Sequence, residues 1–204
     1  MKLKFSIFVL ACLSVAGCLI PDDYTLELSV PDAQHVAWTF DGKWQLILPG
    51  FDPRRDTLPP NDVAGFTREL MQIPGSKSGS YEKATTWRHS ISWSGTLAAN
   101  SNQLPRIAFP STRAPEPMDS DWLIRIVAQR PNVVTIETPK GGDPTTLRQF
   151  QELGYKSKGV FTIKTPARFE QLSGPTLSKS WFGNSYSATL NLMSDQPISI
   201  RLTF

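Results

Sequence analysis

Alternation with a period of two dominates the hydropathy pattern from Tyr24 onward. In Tyr24-Thr-Leu-Glu-Leu-Ser-Val30 the apolar residues fall at 24, 26, 28 and 30, with polar residues between them. Successive side chains of an extended chain point to opposite faces, so this pattern predicts a half-buried strand. Val36, Trp38 and Phe40 repeat it, and Trp44, Leu46 and Leu48 resume it after Asp41-Gly42. An Asp-Gly pair between alternating runs is a two-residue hairpin signal, because both central turn positions need positive φ. The pattern therefore predicts an N-terminal β-meander over 24–48.

Further along, four prolines between Pro49 and Pro60 deny ladder donors and mark a loop. Asn61-Asp62 caps a predicted short helix with Val63, Phe66 and Leu70 on one face. Pro74-Gly-Ser-Lys-Ser-Gly-Ser80 reads as a flexible break. Trp87, His89, Ile91 and Trp93 then alternate with Arg88, Ser90, Ser92 and Ser94. Residues 98–121 are rich in Pro, Asn and Ser and read as irregular, with a short strand at 106–109. They are where two subdomains would divide, although a single compact unit over 24–204 is the expectation. Trp122–Val127 and Val133–Thr138 form a predicted strand pair. Asp143 and Pro144 suit the N-cap and first position of a second short helix bearing Leu147, Phe150 and Leu153, with Gly154 as its stop. Strands near 159–164, 185–193 and 197–204 close the chain. The expected class is α+β, β-rich, with mainly antiparallel sheet and two short helices.

The first 23 residues follow another logic. Lys2 and Lys4 precede an apolar run from Phe5 to Ala16, which Pro21-Asp22-Asp23 ends abruptly. A spanning helix needs about 20 apolar residues. This run is shorter and has the n-region and h-region of a signal peptide. Val15-Ala16-Gly17-Cys18 resembles the lipobox of bacterial lipoproteins. The resemblance implies cleavage between Gly17 and Cys18 and a covalent lipid on Cys18, with residues 1–17 as signal peptide and 18–23 as a short tether. Two or more acyl chains hold a protein stably on a bilayer. Leu19, rather than Asp, after the cysteine resembles lipoproteins sent to the periplasmic face of the outer membrane, where the host has two membranes. The lipobox, the strand–Asp-Gly–strand opening and Thr165-Pro166-Ala167 with the closing strands together look like β-rich bacterial lipoproteins of the LppM type. That likeness implies an envelope protein engaged in binding or support, and it brings no catalytic residues.

Composition changes the picture in two ways. Residues 1–17 hold two of the 21 basic residues and none of the 18 acids. The remaining chain is close to neutral, and its charge gives no warrant for nucleic-acid binding. The two cysteines are Cys12 and Cys18. With Cys12 in the signal peptide and Cys18 committed to lipid, no disulfide is expected, and stability must come from an apolar core.

No constellation spells out catalysis. His35 and His89 are the two histidines, and a zinc site needs about four N, S or O ligands. No Gly-x-Ser-x-Gly elbow is present, and the acid pairs Asp22-Asp23 and Asp119/Asp121 lie in expected loops, as does Arg54-Arg55. Of six tryptophans, Trp38, Trp44, Trp87 and Trp93 take the apolar parity of their strands and are expected in the core. Trp181, followed by Phe182, obeys no strand parity and is the expected surface contact. No metal or cofactor is expected beyond the lipid. The expected function is a membrane-anchored, non-catalytic binding or interaction module. Its expected partners are the bilayer and membrane-proximal envelope proteins. A small hydrolase of envelope glycans or lipids and a hydrophobic-ligand carrier are the alternatives.

Overall fold

The computed structural model describes residues 18–47, 68, 71–72, 75–83, 88–98, 106–108, 122–130, 132–138, 148–149, 151–181, 183–191 and 197–204. They form twelve strands: β1 (Cys18–Ser29), β2 (His35–Ile47), β3 (Ser76–Lys83), β4 (Arg88–Ala98), β5 (Arg106–Ala108), β6 (Trp122–Arg130), β7 (Val133–Glu137), β8 (Lys158–Lys164), β9 (Arg168–Ser173), β10 (Ser178–Lys179), β11 (Ser185–Asn191) and β12 (Ser199–Thr203). A seven-stranded sheet has the order β10-β11-β8-β1-β2-β4-β3, and a five-stranded sheet the order β5-β6-β7-β12-β9. The chain is thus β-rich, as the alternation predicts.

The first sheet is mixed. β1 pairs antiparallel with β2 but parallel with β8, with Tyr24 opposite Gly159 and Ser29 opposite Lys164. Every other described pairing is antiparallel. Inward positions keep the predicted parity: Tyr24, Leu26, Leu28 and Val30 in β1 and the residue after it, Val36, Trp38 and Phe40 in β2, and Ile91 and Trp93 in β4 are all buried. On the second sheet Ile200 lies opposite Ile136, which lies opposite Ile126. Their side chains join those of the first sheet in one hydrophobic core. Burying each large apolar side chain contributes about 1.5–3 kcal/mol, which is how a chain with no expected disulfide reaches stability.

Three expectations change. The N-terminal meander is replaced by a single long hairpin. Asp41 and Gly42 lie inside β2, and the turn is Val30–Gln34, where Asp32 Oδ1 accepts from the backbone N–H of Gln34 (2.7 Å) and His35 (2.8 Å). After β2 the sheet continues through β4, not β3. The break expected at 74–80 is largely β3, an edge strand. Its small residues suit the space beside Trp93: Gly79 is the register partner of Trp93, and Ser76 Oγ accepts from Trp93 Nε1 at 2.9 Å. Residues 18–23, expected as tether, belong to β1, because Cys18–Asp22 pair with Lys43–Ile47 of the long β2. Of the two expected helices, Arg68, Met71 and Gln72, and Arg148, Gln149, Gln151 and Glu152, are described and helical, while Leu153, expected on the apolar face of the second, lies in the turn that follows. The rest lies outside the described residues. Gly154, expected as a stop, takes φ +89°.

Candidate functional site at the two ends of the sheet

Register gives the seven-stranded sheet two distinct ends. Cys18 of β1, Ile47 of β2, Lys158 of β8 and Asn191 of β11 lie toward one end. Ser29, His35, Lys164 and Ser185 lie toward the other. The described residues that sequence reasoning singles out can be placed against these two ends.

Midway along its length, β1 carries a bulge. Asp22 faces Lys43 and Thr25 faces Asp41, so Asp23 and Tyr24 together oppose Gly42. Asp23 sits in the left-handed region at φ +51°, tolerable for Asp and costly for a β-branched residue. Gly42 is required by proximity: a Cβ there would come within 2.4 Å of Tyr24 Cβ and 2.6 Å of its Cα. The same Tyr24 ring covers Gly159 and stacks on Phe40 with centroids 5.6 Å apart. The Tyr24 hydroxyl is buried with no hydrogen-bond partner, and burial pushes its pKa well above the ordinary tyrosine value. The Asp-Gly signal is therefore a glycine facing a bulge. In sequence, a bulge-facing glycine and a turn glycine look alike.

Two concavities flank the bulge. An open polar cleft of about 380 Å³ is lined by Asp23, Asp41, Lys43, Ser80, Ser90 and Ser92. Lys43 Nζ donates to Asp23 Oδ2 at 3.0 Å there. A second cavity of about 490 Å³ lies where Gln151 and the Tyr155–Lys158 segment meet Thr189 and Asn191 of β11. Sequence reasoning passes over this cavity. The signal was present: buried Tyr155, Ser157, Gly159 and Phe161 alternate with exposed Lys156, Lys158 and Val160. Ser157 is thereby an inward-facing polar residue.

The far end carries Trp181. It stands in the β10–β11 connection and is 97% exposed. The connection is closed by Ser180 N–H donating to Ser185 O (2.8 Å) and tied to the end of β8 by Thr165 N–H donating to Asn184 O (2.9 Å). Behind it, Phe169 and Tyr186 stack at 3.9 Å, with the Lys179 ammonium 5.9 Å from the Tyr186 ring centre. Phe182 lies outside the described residues. Trp38 and Trp93, by contrast, are buried in an edge-to-face pair with centroids 4.1 Å apart.

The other residues singled out do not converge. His35 is the exposed first residue of β2, with Nδ1 at 2.9 Å from Asp32 Oδ2 in the preceding turn. The hydrogen bonds from the Gln34 backbone and the His35 side chain lower the Asp32 pKa. His89 belongs to β4, where its backbone pairs with Trp44 and Lys83. The described residues contain no group of three or more His, Cys, Asp or Glu able to hold a metal, and no helix long and apolar enough to cross a membrane. Gly17, Arg54, Arg55, Trp87, Asp119 and Asp121 lie outside the described residues.

No family model matches the chain, and no curated protein matches it. Among solved structures, the folded domain of the Mycobacterium tuberculosis LppM protein, determined by NMR, is similar at a TM-score of 0.44 and 12% identity, covering 95% of this chain and 94% of that one.

Proposed function

We propose that this chain is a lipid-anchored envelope protein whose β-rich domain acts as a non-catalytic binding module held directly on the membrane surface. The observation that carries the reading is the start of β1 at Cys18, in ladder register with Ile47. An acyl group on Cys18 would then be attached to the first residue of a central strand, with no slack between lipid and fold. Where the host has two membranes, Leu19 favours the periplasmic face of the outer one. Trp181 falls at the opposite end of the sheet. The twelve residues of β1, at about 3.3 Å each, separate the two ends by roughly 36–40 Å. The exposed indole is therefore carried away from the bilayer, toward a membrane-proximal protein or glycan of the envelope. Aromatic anchors of this kind dominate binding energy at interfaces.

Mass analysis of the N-terminal peptide tests the anchor: Cys18 is expected to carry acyl mass with residues 1–17 absent. Cys18→Ala is expected to release the protein from membranes; a membrane-bound Cys18→Ala variant without acyl mass refutes the reading. Quenching by brominated lipid tests the orientation. Subtracting the Trp181→Phe signal is expected to leave no lipid-quenched component from Trp181. A quenched component would put the far end on the bilayer instead.

A further inference from the structure

We infer that Gln171 is the positioning residue of the Trp181 contact: its side-chain amide holds the β9–β10 connection, and with it the hairpin that carries the indole. Gln171 has the strand parity of Phe169, and its ladder partner in β12 is the buried Ile200. An inward-facing amide needs partners for its donors and its acceptor. Gln171 finds them in the connection that follows it. Its Nε2 donates to the carbonyl oxygens of Pro175 (2.7 Å), Gly174 (3.0 Å) and Ser173 (3.3 Å), and its Oε1 accepts from the Leu177 backbone N–H (2.9 Å). These partners fix which amide atom is which, since a reversed amide would set its oxygen against three carbonyls and its NH2 against an N–H.

The clamp matters because of where the chain goes next. β9 is an edge of the five-stranded sheet and β10 an edge of the seven-stranded one, so residues 174–177 carry the chain between sheets. Around the clamp, Ser173 Oγ donates to Pro197 O at 3.0 Å, and Leu177 is buried in the core. From Leu177 only two ladder pairs, Ser178 with Ser187 and Lys179 with Tyr186, precede the turn that bears Trp181. Two pairs at a sheet edge are a weak hold by themselves. The Gln171 amide fixes the entry to them, so the Trp181 hairpin is anchored through both sheets. Fixing a contact residue before its partner arrives lowers the ordering cost of binding. The functional part of this inference rests on the reading of Trp181 as a contact; the clamp does not.

Two variants of the full chain test it. Gln171→Met keeps the length of the side chain and removes all four hydrogen bonds. Gln171→Glu keeps the acceptor for Leu177 and turns an oxygen toward the three carbonyls. Amide hydrogen exchange is read at Ser180 and Thr165, whose N–H groups close and tie the Trp181 turn. Both variants are expected to lower protection factors there at least tenfold while Leu26 and Leu28 of β1 keep theirs. In Gln171→Glu, protection is expected to recover in acid, where the introduced carboxyl regains a proton to donate; Gln171→Met is expected to show no recovery. Unchanged protection at both amides, an equal loss in β1, or no recovery of Gln171→Glu in acid overturns the proposal. Benzoylphenylalanine in place of Trp181, photolysed in cells, reads the contact. Its adduct yield is expected to fall at least fivefold in Gln171→Met at equal protein level, and an unchanged yield despite lost protection overturns the positioning role. No adduct even with Gln171 in place would overturn the contact reading and leave the clamp standing.

Discussion

Two glycines in the seven-stranded sheet face bulges, and they differ in where the bulge lies. Gly42 of β2 opposes the Asp23–Tyr24 bulge at the middle of β1. Gly95 of β4 pairs with Ser76 at the irregular start of β3, toward the far end. A Cβ at Gly95 would come within 2.3 Å of Trp38 Cζ2 and 2.4 Å of the Gly75 carbonyl oxygen. Both glycines thus admit a large aromatic and a neighbouring backbone together. The first bulge, however, is in a strand held on both sides, by β2 and β8, whereas β3 is an edge. A central bulge cannot relax without breaking a second ladder; an edge bulge can move into solvent. The middle of the sheet is therefore fixed by backbone geometry and the far end by side-chain packing.

Trp38→Ala attacks the packed end and is expected to have the largest effect. Losing a buried tryptophan costs roughly 3–5 kcal/mol, visible as a lower midpoint in urea unfolding. Gly42→Ala attacks the backbone-fixed middle and should cost about 1–3 kcal/mol through overpacking. A fully tolerated Gly42→Ala would mean that the bulge is free to shift, and the contrast between the two regions would collapse. At Asp23, substitution by Val should cost about 1–2 kcal/mol because of the left-handed φ, with Asp23→Gly close to neutral by the same measurement. The smallest effect belongs to Tyr24→Phe, expected to be neutral or slightly stabilising because it removes a buried hydroxyl without a partner. Its pH signature is sharper. The Tyr24 pKa is raised above the ordinary 10.0, so the folded state keeps the neutral form while the unfolded chain ionises. Stability is complete below about pH 10 and falls as pH rises above it. Tyr24→Phe should flatten that alkaline loss in a pH series of unfolding midpoints.

Alternation made the inward faces of β1, β2, β4, β8 and β12 legible, down to Trp38 and Trp93 as core. It could not separate the Asp41-Gly42 turn signal from a bulge, because the deciding contact comes from Tyr24, eighteen positions earlier in the chain. The serine- and glycine-rich β3 was hidden for a related reason. Its small residues answer to the bulk of Trp93 on the neighbouring strand, not to strand propensity. Of the site features, the exposure of Trp181 followed from its lack of parity. The concavity at Ser157 falls between the expected stop at Gly154 and the expected strand from 159, although the alternation of Tyr155-Lys-Ser-Lys158 continues that of β8. The parallel β1–β8 pairing left no local trace, since its partners are more than 130 residues apart.

That long-range pairing bears on how the protein is made. β1 can find β2 as soon as residues up to 47 have emerged, a local hairpin of the kind that closes in microseconds. Its other edge stays open until β8, from Lys158 onward, is available, and such non-local pairing is slow. During synthesis the Tyr24–Ser29 half of β1 is thus expected to be among the first segments made and the last enclosed.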